Sequence, residues 1–567
     1  MAALLTSTDR RTAPCHANFD TLVEALDYAA GAATGMNFHG PRGDLCEVLS
    51  YARLAREARE AGARLLGLGL EPGDRVGLVA ETNADFVRAF MGAVISGLVP
   101  CPMPLPAAFS AKSLYGEQIR RIAEVAEVSA VILDEPYRPL VADALADRHL
   151  AYLGPLAGID AAPQPLPAPP APDAIAYLQF SSGTTRAPRG IVVTHRALMA
   201  NIRGMATHAL GIGPEDRGVS WLPFYHDMGL VGTLLLPVGT QMSVDYLATR
   251  DFVRRPGLWP VLISRGGGTV SYAPSFGYQL AAQRARFTEP LDLSSWRVAG
   301  IGGDIIRSAN LEQFAQVYAP HGFRRESFLP SYGMAELTLG FTFGAPGAPC
   351  RAEIVDAHAL ERGVAELRMN GAPASRAFVR CGTPLPEHEV EIRDDAGRPL
   401  GERRVGRVFA RGPSVMSGYF RDAQATAAVL SPDGWLETGD KGYLAEGELV
   451  ITGRSKDLII VNGRNLWPQD IEWTLEDRLR TLREGSVAAF GLEQQDDEGL
   501  AVVLEHPGND GDARESLRRE CETLVREVFG LRPQILFSRV GQLPRTSSGK
   551  LSRARAREMC QAGQFDG

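Results

Sequence analysis

Residues 181–185, Ser-Ser-Gly-Thr-Thr, have the composition of a loop that could bind a phosphate chain. They follow the apolar run 175–180 and precede the apolar run 191–193, which predicts a strand, a loop and a second strand. Such a loop can direct several backbone N–H groups and hydroxyls at one point, as a polyphosphate requires. It is not a Walker loop, because the only Gly-Lys pair, ending at Lys550, lacks the other residues of that pattern. A plain Ser/Thr/Gly turn is the alternative.

Residues 331–336, Ser-Tyr-Gly-Met-Ala-Glu, combine an aromatic ring, a glycine and a carboxylate. Tyr332 could offer its ring to a base, and Gly333 would let the backbone come close to a ligand. Glu336 could hold a divalent cation. On its own the segment could equally be a loop with a surface carboxylate.

Asp440, Arg454 and Lys550 are three further charged residues beside turns or strand ends. The Asp440 carboxylate could accept both hydroxyls of a ribose, and Arg454 offers five donors to a ribose or a phosphate. Lys550 stands on a Ser/Gly loop and could bring a mobile positive charge into a site built by another domain. Taken singly, each residue also fits an ordinary role, namely a turn aspartate, a charged strand entry and a solvated basic loop.

The composition describes a globular protein of two or more domains. The chain has 567 residues, of which 45% are apolar and 22% charged, with a net charge of −8. This charge gives no field that favours nucleic acid. The seven cysteines form no C-x-x-C pair, so neither a disulfide framework nor a zinc site is indicated, and a reduced, cytoplasmic setting is expected. The absence of an 18-residue apolar run predicts no membrane span.

Alternating helix and strand patterns through residues 18–160, and again from 196 to about 340, predict an α/β fold. Residues 341–380 look irregular, with Gly, Pro and Ala clusters around a short helix predicted at 356–362. Strand-like segments then follow at 389–393, 405–411 and 448–451.

A smaller α+β unit is predicted beyond a boundary near Lys456. Its strands are expected at 458–461, 486–490 and 500–505, and an amphipathic helix should end at Gly530.

The order and spacing of these segments resemble the adenylate-forming superfamily, which includes acyl-CoA synthetases, adenylation domains and luciferases. Within it the chain is most similar to the fatty acyl-AMP ligases. The motifs that carry this closer resemblance are SGTTRAP at 182–188 with Arg186, WLPFYHDMGL at 221–230, APSFGY at 273–278, Ala335, and GRNLWPQDIE at 463–472.

The resemblance implies a large N-terminal adenylate-forming domain of several subdomains, residues 1–455, and a small mobile C-terminal domain, residues 456–567. Lys456 matches the superfamily's hinge, about which the small domain rotates between two half-reactions. The irregular stretch 341–380 falls where fatty acyl-AMP ligases carry a characteristic insertion, thought to restrain the small domain and disfavour CoA.

The resemblance also implies a role for each candidate residue. The pyrophosphate end of ATP is expected to contact Ser181, Ser182, Gly183, Thr184 and Thr185. Nucleotide contacts are further expected from Gly303, Asp304, Ser331, Tyr332, Gly333, Met334, Ala335, Asp440 and Arg454, with Glu336 positioning Mg²⁺. Lys550 would contact the carboxylate and the α-phosphate, and His226 would lie where they meet. Phe276 and Tyr278 would line the acyl tunnel, with core packing as the alternative.

The implied activity is ATP-dependent conversion of a fatty acid to an acyl-adenylate and transfer of the acyl group to a thiol. The expected acceptor is the phosphopantetheine of an acyl carrier protein acting in trans, since the chain has no D-S-L carrier motif. Two alternatives stay open, an acyl-CoA synthetase and a catalytically silent binder of nucleotide or lipid. Docking of an acidic carrier on Arg553, Arg555 and Arg557 is a further hypothesis, with a solvated helix face as its alternative.

Overall fold

A computed structural model describes most of the chain. The described residues are 17–106, 112–180, 188–287, 289–369, 372, 375–461, 464–479, 481–494, 497–508, 511–546 and 550–566. No helix within them combines the length and apolar character that crossing a bilayer requires.

The strands, in chain order, are β1 Gly35–His39, β2 Leu45–Ser50, β3 Arg75–Val79, β4 Val99–Met103, β5 Val128–Ile132, β6 Tyr152–Gly154, β7 Ile175–Phe180, β8 Gly190–Thr194, β9 Arg217–Ser220, β10 Ser243–Leu247, β11 Val270–Ala273, β12 Val298–Ile301, β13 Phe328–Gly333, β14 Gly340–Phe343, β15 Ala352–Asp356, β16 Ser375–Val379, β17 Thr383–Pro384, β18 Glu389–Arg393, β19 Gly406–Arg411, β20 Gly418–Tyr419, β21 Leu436–Ala445, β22 Glu448–Arg454, β23 Ile459–Val461, β24 Arg464–Leu466, β25 Val487–Gln494, β26 Asp497–His506 and β27 Pro533–Arg539.

The α-helices are α1 Leu22–Ala29, α2 Tyr51–Gly67, α3 Ala84–Ile95, α4 Lys112–Ala126, α5 Arg138–Ala144, α6 His195–Gly204, α7 Leu236–Thr240, α8 Thr249–Arg254, α9 Leu258–Gly266, α10 Ser275–Gln283, α11 Ser308–Tyr318, α12 Ala357–Glu361, α13 Ala423–Val429, α14 Pro468–Arg478, α15 Gly511–Phe529 and α16 Arg553–Gln561. Residues Met205–Ala209 and Met228–Leu235 form π-helical segments.

The large sheet brings several loops of the site to one edge. Its order is β17-β14-β13-β12-β11-β9-β10-β1-β2, and β9, β11, β12 and β13 run parallel. Because the carboxyl ends of parallel strands share an edge, the segments after β9 and β12 lie beside the end of β13. A second four-stranded sheet, β18-β19-β21-β22, adds the antiparallel pair β21 and β22.

The residues after Ile459 bury apolar clusters of their own. One cluster joins α14 and α15 to β25, β26 and β27, and another packs α16 against the same sheet. The predicted α/β class is confirmed, because helices and several sheets alternate along the chain. The domain boundary near Lys456 stays a prediction.

Residues 341–380 contain more regular structure than their composition predicts. β15 and β16 pair antiparallel over five residue pairs, and α12 lies between them in sequence, with the Asp356 side chain accepting the Ala359 N–H as its N-cap. The predicted short helix is therefore present, but the expectation that this stretch is otherwise irregular is wrong.

Candidate active site

A cavity of about 790 Å³ lies where the large sheet's carboxyl edge meets the segment around Lys456 and the loop carrying Lys550. It gathers most of the residues singled out from the sequence. Those that line it are His226, Gly303, Asp304, Ser331, Tyr332, Gly333, Met334, Ala335, Glu336, Asp440, Arg454, Lys456 and Lys550. Residues 181–185, the predicted phosphate loop, and Arg186 lie outside the described residues.

Tyr332, Asp440 and Arg454 form one polar group in the cavity wall. The Tyr332 hydroxyl donates to Asp440 Oδ2 at 2.7 Å, and Arg454 Nε lies 3.4 Å from Asp440 Oδ1. The β-ladder fixes this arrangement, since Asp440 on β21 is the register partner of Arg454 on β22. Burial raises the pKa of Asp440, and the Arg454 guanidinium opposes that rise. The group presents a carboxylate and a cation side by side, which suits a ribose and its phosphate.

Glu336 occupies a short turn directly after β13. Its Oε1 accepts the Tyr419 hydroxyl at 3.1 Å, and the Arg189 guanidinium lies over the Tyr419 ring, 4.9 Å from its centroid. Burial raises the pKa of Glu336. The turn is tight, because a Cβ at Gly333 would lie 1.8 Å from the Leu339 carbonyl oxygen. Only glycine fits at position 333. The close approach of the chain to itself at this turn places Glu336 at the cavity wall.

His226 and Asp227 precede the π-helical segment Met228–Leu235. His226 Nδ1 lies 2.6 Å from Asp227 Oδ1, and the Met228 N–H donates to the same carboxylate oxygen at 2.7 Å. Burial opposes ionisation of Asp227, but His226 and the more distant Lys550 hold its pKa below the usual value. An ionised carboxylate thus fixes the orientation of the imidazole at the cavity surface.

Lys550 reaches the cavity from the segment that precedes α16. Its ammonium donates a hydrogen bond to the carbonyl of Gly303, which follows β12. The Lys550 backbone is held by Thr546, whose N–H donates to the Lys550 carbonyl at 2.7 Å. The ammonium therefore lies inside the cavity, beside the segment that follows β12.

Arg553 fixes the segment around Lys456 instead of facing solvent. Its guanidinium pairs with Glu472 on α14 at 2.6 Å and with Asp457 at 3.2 Å. These contacts contradict the hypothesis that Arg553 helps to dock a carrier, because its guanidinium already pairs with two carboxylates of this chain. Burial and the neighbouring Arg454 lower the pKa of Lys456.

The structure does not place Phe276 and Tyr278 in the cavity wall. Tyr278 is fully buried among Trp259, Trp296 and Phe314, and its hydroxyl donates to the Gly300 carbonyl at 2.8 Å. Phe276 packs half-buried against Trp221, 5.9 Å between ring centroids. The geometry thus gives Tyr278 the core role that the sequence left as an alternative. The apolar lining comes instead from Met205, Leu210, Tyr225, Met228, Gly232, Leu236, Tyr272, Leu339 and Phe343.

Several lining residues were not assigned from the sequence. Asp227 stands inside the motif at 221–230 and could have been found there. Gln179 is the penultimate residue of β7, the strand before the predicted phosphate loop, and its amide donates to the Tyr225 carbonyl at 2.7 Å. Tyr419 carries no local signal, because its contact with Glu336 joins residues 83 positions apart.

The donors fit a nucleotide with its magnesium better than an all-protein metal site. Within the described ranges, no group of three or more His, Cys, Asp or Glu side chains could hold a metal ion. The carboxylates of Glu336, Asp440 and Asp227 line the cavity together with the cations Arg454 and Lys550. Magnesium is commonly held by one or two carboxylates plus the phosphates of a nucleotide, and Glu336 could serve as that carboxylate.

Comparisons with known proteins extend over nearly the whole chain. The family model described as AMP-binding enzyme matches residues 37–420. A putative acyl-CoA synthetase of Caulobacter vibrioides is 46% identical over 97% of this chain and 96% of its own length. The medium-chain-fatty-acid–[acyl-carrier-protein] ligase JamA of Moorena producens is 30% identical over 97% and 96% of the two chains. A solved structure from a study of fatty acyl-adenylate ligases of E. coli and L. pneumophila has a TM-score of 0.92 and 41% identity, covering 97% and 100%.

Proposed function

Because this chain belongs to the AMP-binding enzyme family and is an adenylate-forming enzyme, we propose that it activates a fatty acid with ATP and passes the acyl group to an acyl carrier protein. The observation that carries this proposal is the meeting of Lys550 with Glu336, Asp440 and Arg454 around one cavity. Its likeness to JamA supports a carrier protein as the acceptor.

In the first half-reaction, a carboxylate oxygen attacks the α-phosphorus of ATP and pyrophosphate leaves. Two anions must approach each other, so positive charge at the reacting atoms lowers the barrier. Lys550 supplies that charge, while Asp440 and Arg454 hold the ribose and Tyr332 packs beside the base. Magnesium, when bound, would neutralise phosphate charge, and Glu336 is the residue that would hold it.

The apolar wall around Met228 and Leu236 takes the acyl chain, with the carboxylate end towards His226. The imidazole is held by Asp227 and forms one side of the passage between the apolar wall and the nucleotide. In the second half-reaction a thiolate sulfur attacks the acyl carbonyl carbon, and AMP leaves with the bonding electron pair. Lys550 withdraws in this step as the small domain rotates about Lys456.

The insertion, here β15, α12 and β16, supports a carrier protein over CoA. Glu361 at the end of α12 receives two hydrogen bonds from Arg464, at 2.9 and 3.0 Å, and Arg376 on β16 pairs with Asp470 at 2.5 Å. Both partners belong to the small domain. These contacts restrain its rotation, which is the property expected of an enzyme that disfavours CoA.

Acyl-CoA formation is the second candidate, because a relative at 46% identity is described as a putative acyl-CoA synthetase. Incubating the enzyme with ATP, Mg²⁺ and a chain-length series of fatty acids, with either CoA or a holo-carrier, separates the two. We expect acyl-AMP without acceptor and acyl-carrier with the carrier, both read by mass. Robust acyl-CoA would favour the second candidate, and no pyrophosphate with any acid would favour a silent binder.

A further inference from the structure

The loop joining β12 to α11, residues 302–307, contacts the small domain at both of its ends. Near its start, the Gly303 carbonyl accepts the Lys550 ammonium. At its end, Arg307 lies against α14 and the residues that follow it. One short segment of the large domain therefore contacts the small domain at two places, at the Lys550 ammonium and at α14.

Arg307 is surrounded by acidic side chains of the small domain. Its Nη1 lies 3.2 Å from Glu484 Oε2 and 3.7 Å from Glu476 Oε2, and its Nη2 pairs with Asp477. The guanidinium also lies over the Trp473 ring, 5.3 Å from its centroid. With its side chain only 10% exposed, Arg307 is enclosed between the two domains.

Neighbouring large-domain side chains strengthen the same contact. Asn310 on α11 donates its amide to Glu484 Oε1 at 3.0 Å, and Gln279 on α10 donates to the other oxygen of that carboxylate. The Glu484 carboxylate is thus contacted by three large-domain side chains, those of Arg307, Asn310 and Gln279. Arg307 itself is absent from the described residues that line the cavity, so it acts away from the reacting atoms.

We propose that Arg307 is a positioning residue for adenylation, which holds the small domain where Lys550 reaches the Gly303 carbonyl. The inference rests on the proposed function, because it assigns the observed domain orientation to the first half-reaction. A charged contact suits this role, since guanidinium and carboxylates are well solvated once separated and the contact can open and close repeatedly. An apolar interface of similar size would resist the rotation that thiol transfer requires.

Arg307→Ala should change the two half-reactions differently. We expect ATP–pyrophosphate exchange with a fatty acid to fall about 10- to 100-fold, the range typical of coupling between distant sites. Transfer from preformed acyl-adenylate to the holo-carrier should be unchanged or faster. Arg307→Lys keeps the charge but loses the planar fork, so its adenylation rate should be intermediate.

Arg325→Ala is the matched control, because Arg325 pairs with Glu312 within the large domain. It should leave both half-reactions as in the parent enzyme. A general folding defect in Arg307→Ala would lower both half-reactions together, and equal loss of both would overturn the proposal. Exchange at the parent rate would overturn it as well, while leaving the proposed function intact.

Hydrogen exchange tests the same contact without relying on activity. Peptides spanning 471–486 should exchange faster in Arg307→Ala than in the parent or in Arg325→Ala, since α14 loses its anchor on the large domain. Unchanged exchange there would refute the positioning role. If the parent enzyme released no pyrophosphate with any acid, the proposed function would fail, and faster exchange would still identify Arg307 as the residue that sets domain orientation.

Discussion

Lys550 brings a positive charge to the cavity from the segment that precedes α16. Its ammonium is held by one backbone carbonyl, that of Gly303, so its removal should cost little stability. We predict that Lys550→Ala lowers pyrophosphate release by about 10²- to 10³-fold, the usual cost of removing one group that stabilises charge in a transition state. The melting temperature should stay within about 1–2 °C of the parent, as for most surface changes.

Arg555→Ala is the control for Lys550→Ala. Arg555 lies close by on α16, but it pairs at the surface with Glu558. It should retain full adenylation. Equal loss in both variants, or wild-type activity without Lys550, would contradict the assigned role.

The sequence could predict residues whose chemistry is written into a short motif. Tyr332, Glu336 and Asp440 each stand beside a turn and could be singled out by residue type, and the order of their motifs along the chain, through the family resemblance, assigns them to a nucleotide. Arg307 could not be found in this way, because its partner Asp477 lies 170 residues away. Tyr278 could not be assigned either, since an aromatic ring suits a tunnel and a packed core equally well.

The π-helical segment Met228–Leu235 forms part of the apolar wall. Gly232 lines the cavity, and a Cβ there would lie 3.1 Å from Leu339 Cδ2. A larger side chain must therefore project into the space available to the acyl chain. We predict that Gly232→Leu lowers kcat/KM for long fatty acids by about 10- to 100-fold, because each lost methylene contact changes selectivity about tenfold or more. Short acids should be affected far less.

Tyr278→Phe provides the contrast for the Gly232 change. It removes the hydroxyl that donates to the Gly300 carbonyl in the buried aromatic cluster. The activity of this variant across fatty acids of different chain length should match that of the parent. Its free energy of unfolding should fall by about 1–2 kcal/mol. A shifted chain-length preference in Tyr278→Phe would mean that Tyr278 contributes to the acyl tunnel.

Helix α14 carries a buried carboxylate, Glu476, in the interface that contains Arg307. Burial, together with Glu472 and Glu484, raises its pKa to about 8, against the opposing effect of Arg307. The folded protein therefore binds this proton more tightly than the unfolded chain does. The stability that this group contributes is complete below its unfolded pKa of about 4.3 and is lost as the pH rises towards 8.

Glu476→Gln should remove the loss of stability that ionisation of Glu476 causes as the pH rises. An amide oxygen can still accept the Gly485 N–H, which donates to Glu476 Oε1 at 2.7 Å. We expect the melting temperature of the variant to exceed that of the parent by about 2–4 °C at pH 8.5, with a smaller difference at pH 6. A difference that shrinks as the pH rises would mean that the charged carboxylate, through Arg307, is the stabilising form.

Most of the predicted strands and helices could be recognised from local patterns of apolar residues. The strand predicted at 175–180 is β7, that at 389–393 is β18, and the helix predicted to end at Gly530 is α15, with Gly530 in the left-handed region at φ +72°. The pairing of β15 with β16 was missed because it joins segments separated by α12 and a Gly- and Pro-containing stretch. Periodicity reports which face of a strand is apolar, but not which distant strand is its partner.

At the scale of the whole molecule, the insertion connects three parts of the chain. An apolar cluster joins Val355 on β15 and Phe378 on β16 to Tyr443 on β21 and to Trp467, which precedes α14. Two ion pairs anchor this segment to strands outside it or to the loops beside them: Glu353 pairs with Arg403 at 2.5 Å, and the buried Arg380 pairs with Glu448 at 2.8 Å. The segment is thus fixed on one side, and under the proposed function its contacts with Arg464 and Asp470 would resist rotation about Lys456.

Under the proposed function, the ion pairs Glu361–Arg464 and Arg376–Asp470 would supply the polar part of that restraint. Burial raises the pKa of Asp470 to about 6, with Arg376 opposing the rise, so most of this carboxylate is ionised at neutral pH. Removing Arg376 would leave Asp470 buried without its cation, which favours separation of the insertion from the small domain.

We therefore predict that the double variant Glu361→Ala/Arg376→Ala converts acyl-adenylate to acyl-CoA about tenfold faster than the parent, as a freed domain samples the second orientation more often. Acyl-adenylate formation should fall less than twofold, since the Arg307 contacts proposed to hold the small domain for that step remain, as does the contact of Lys550 with Gly303. Arg368→Ala is the control, because Arg368 pairs with Asp356 inside the insertion. Acyl-CoA, acyl-carrier and AMP measured in parallel separate the effects. Faster transfer to the carrier but not to CoA would show that these ion pairs restrain rotation without selecting the acceptor, and unchanged transfer to both would remove them from the restraint.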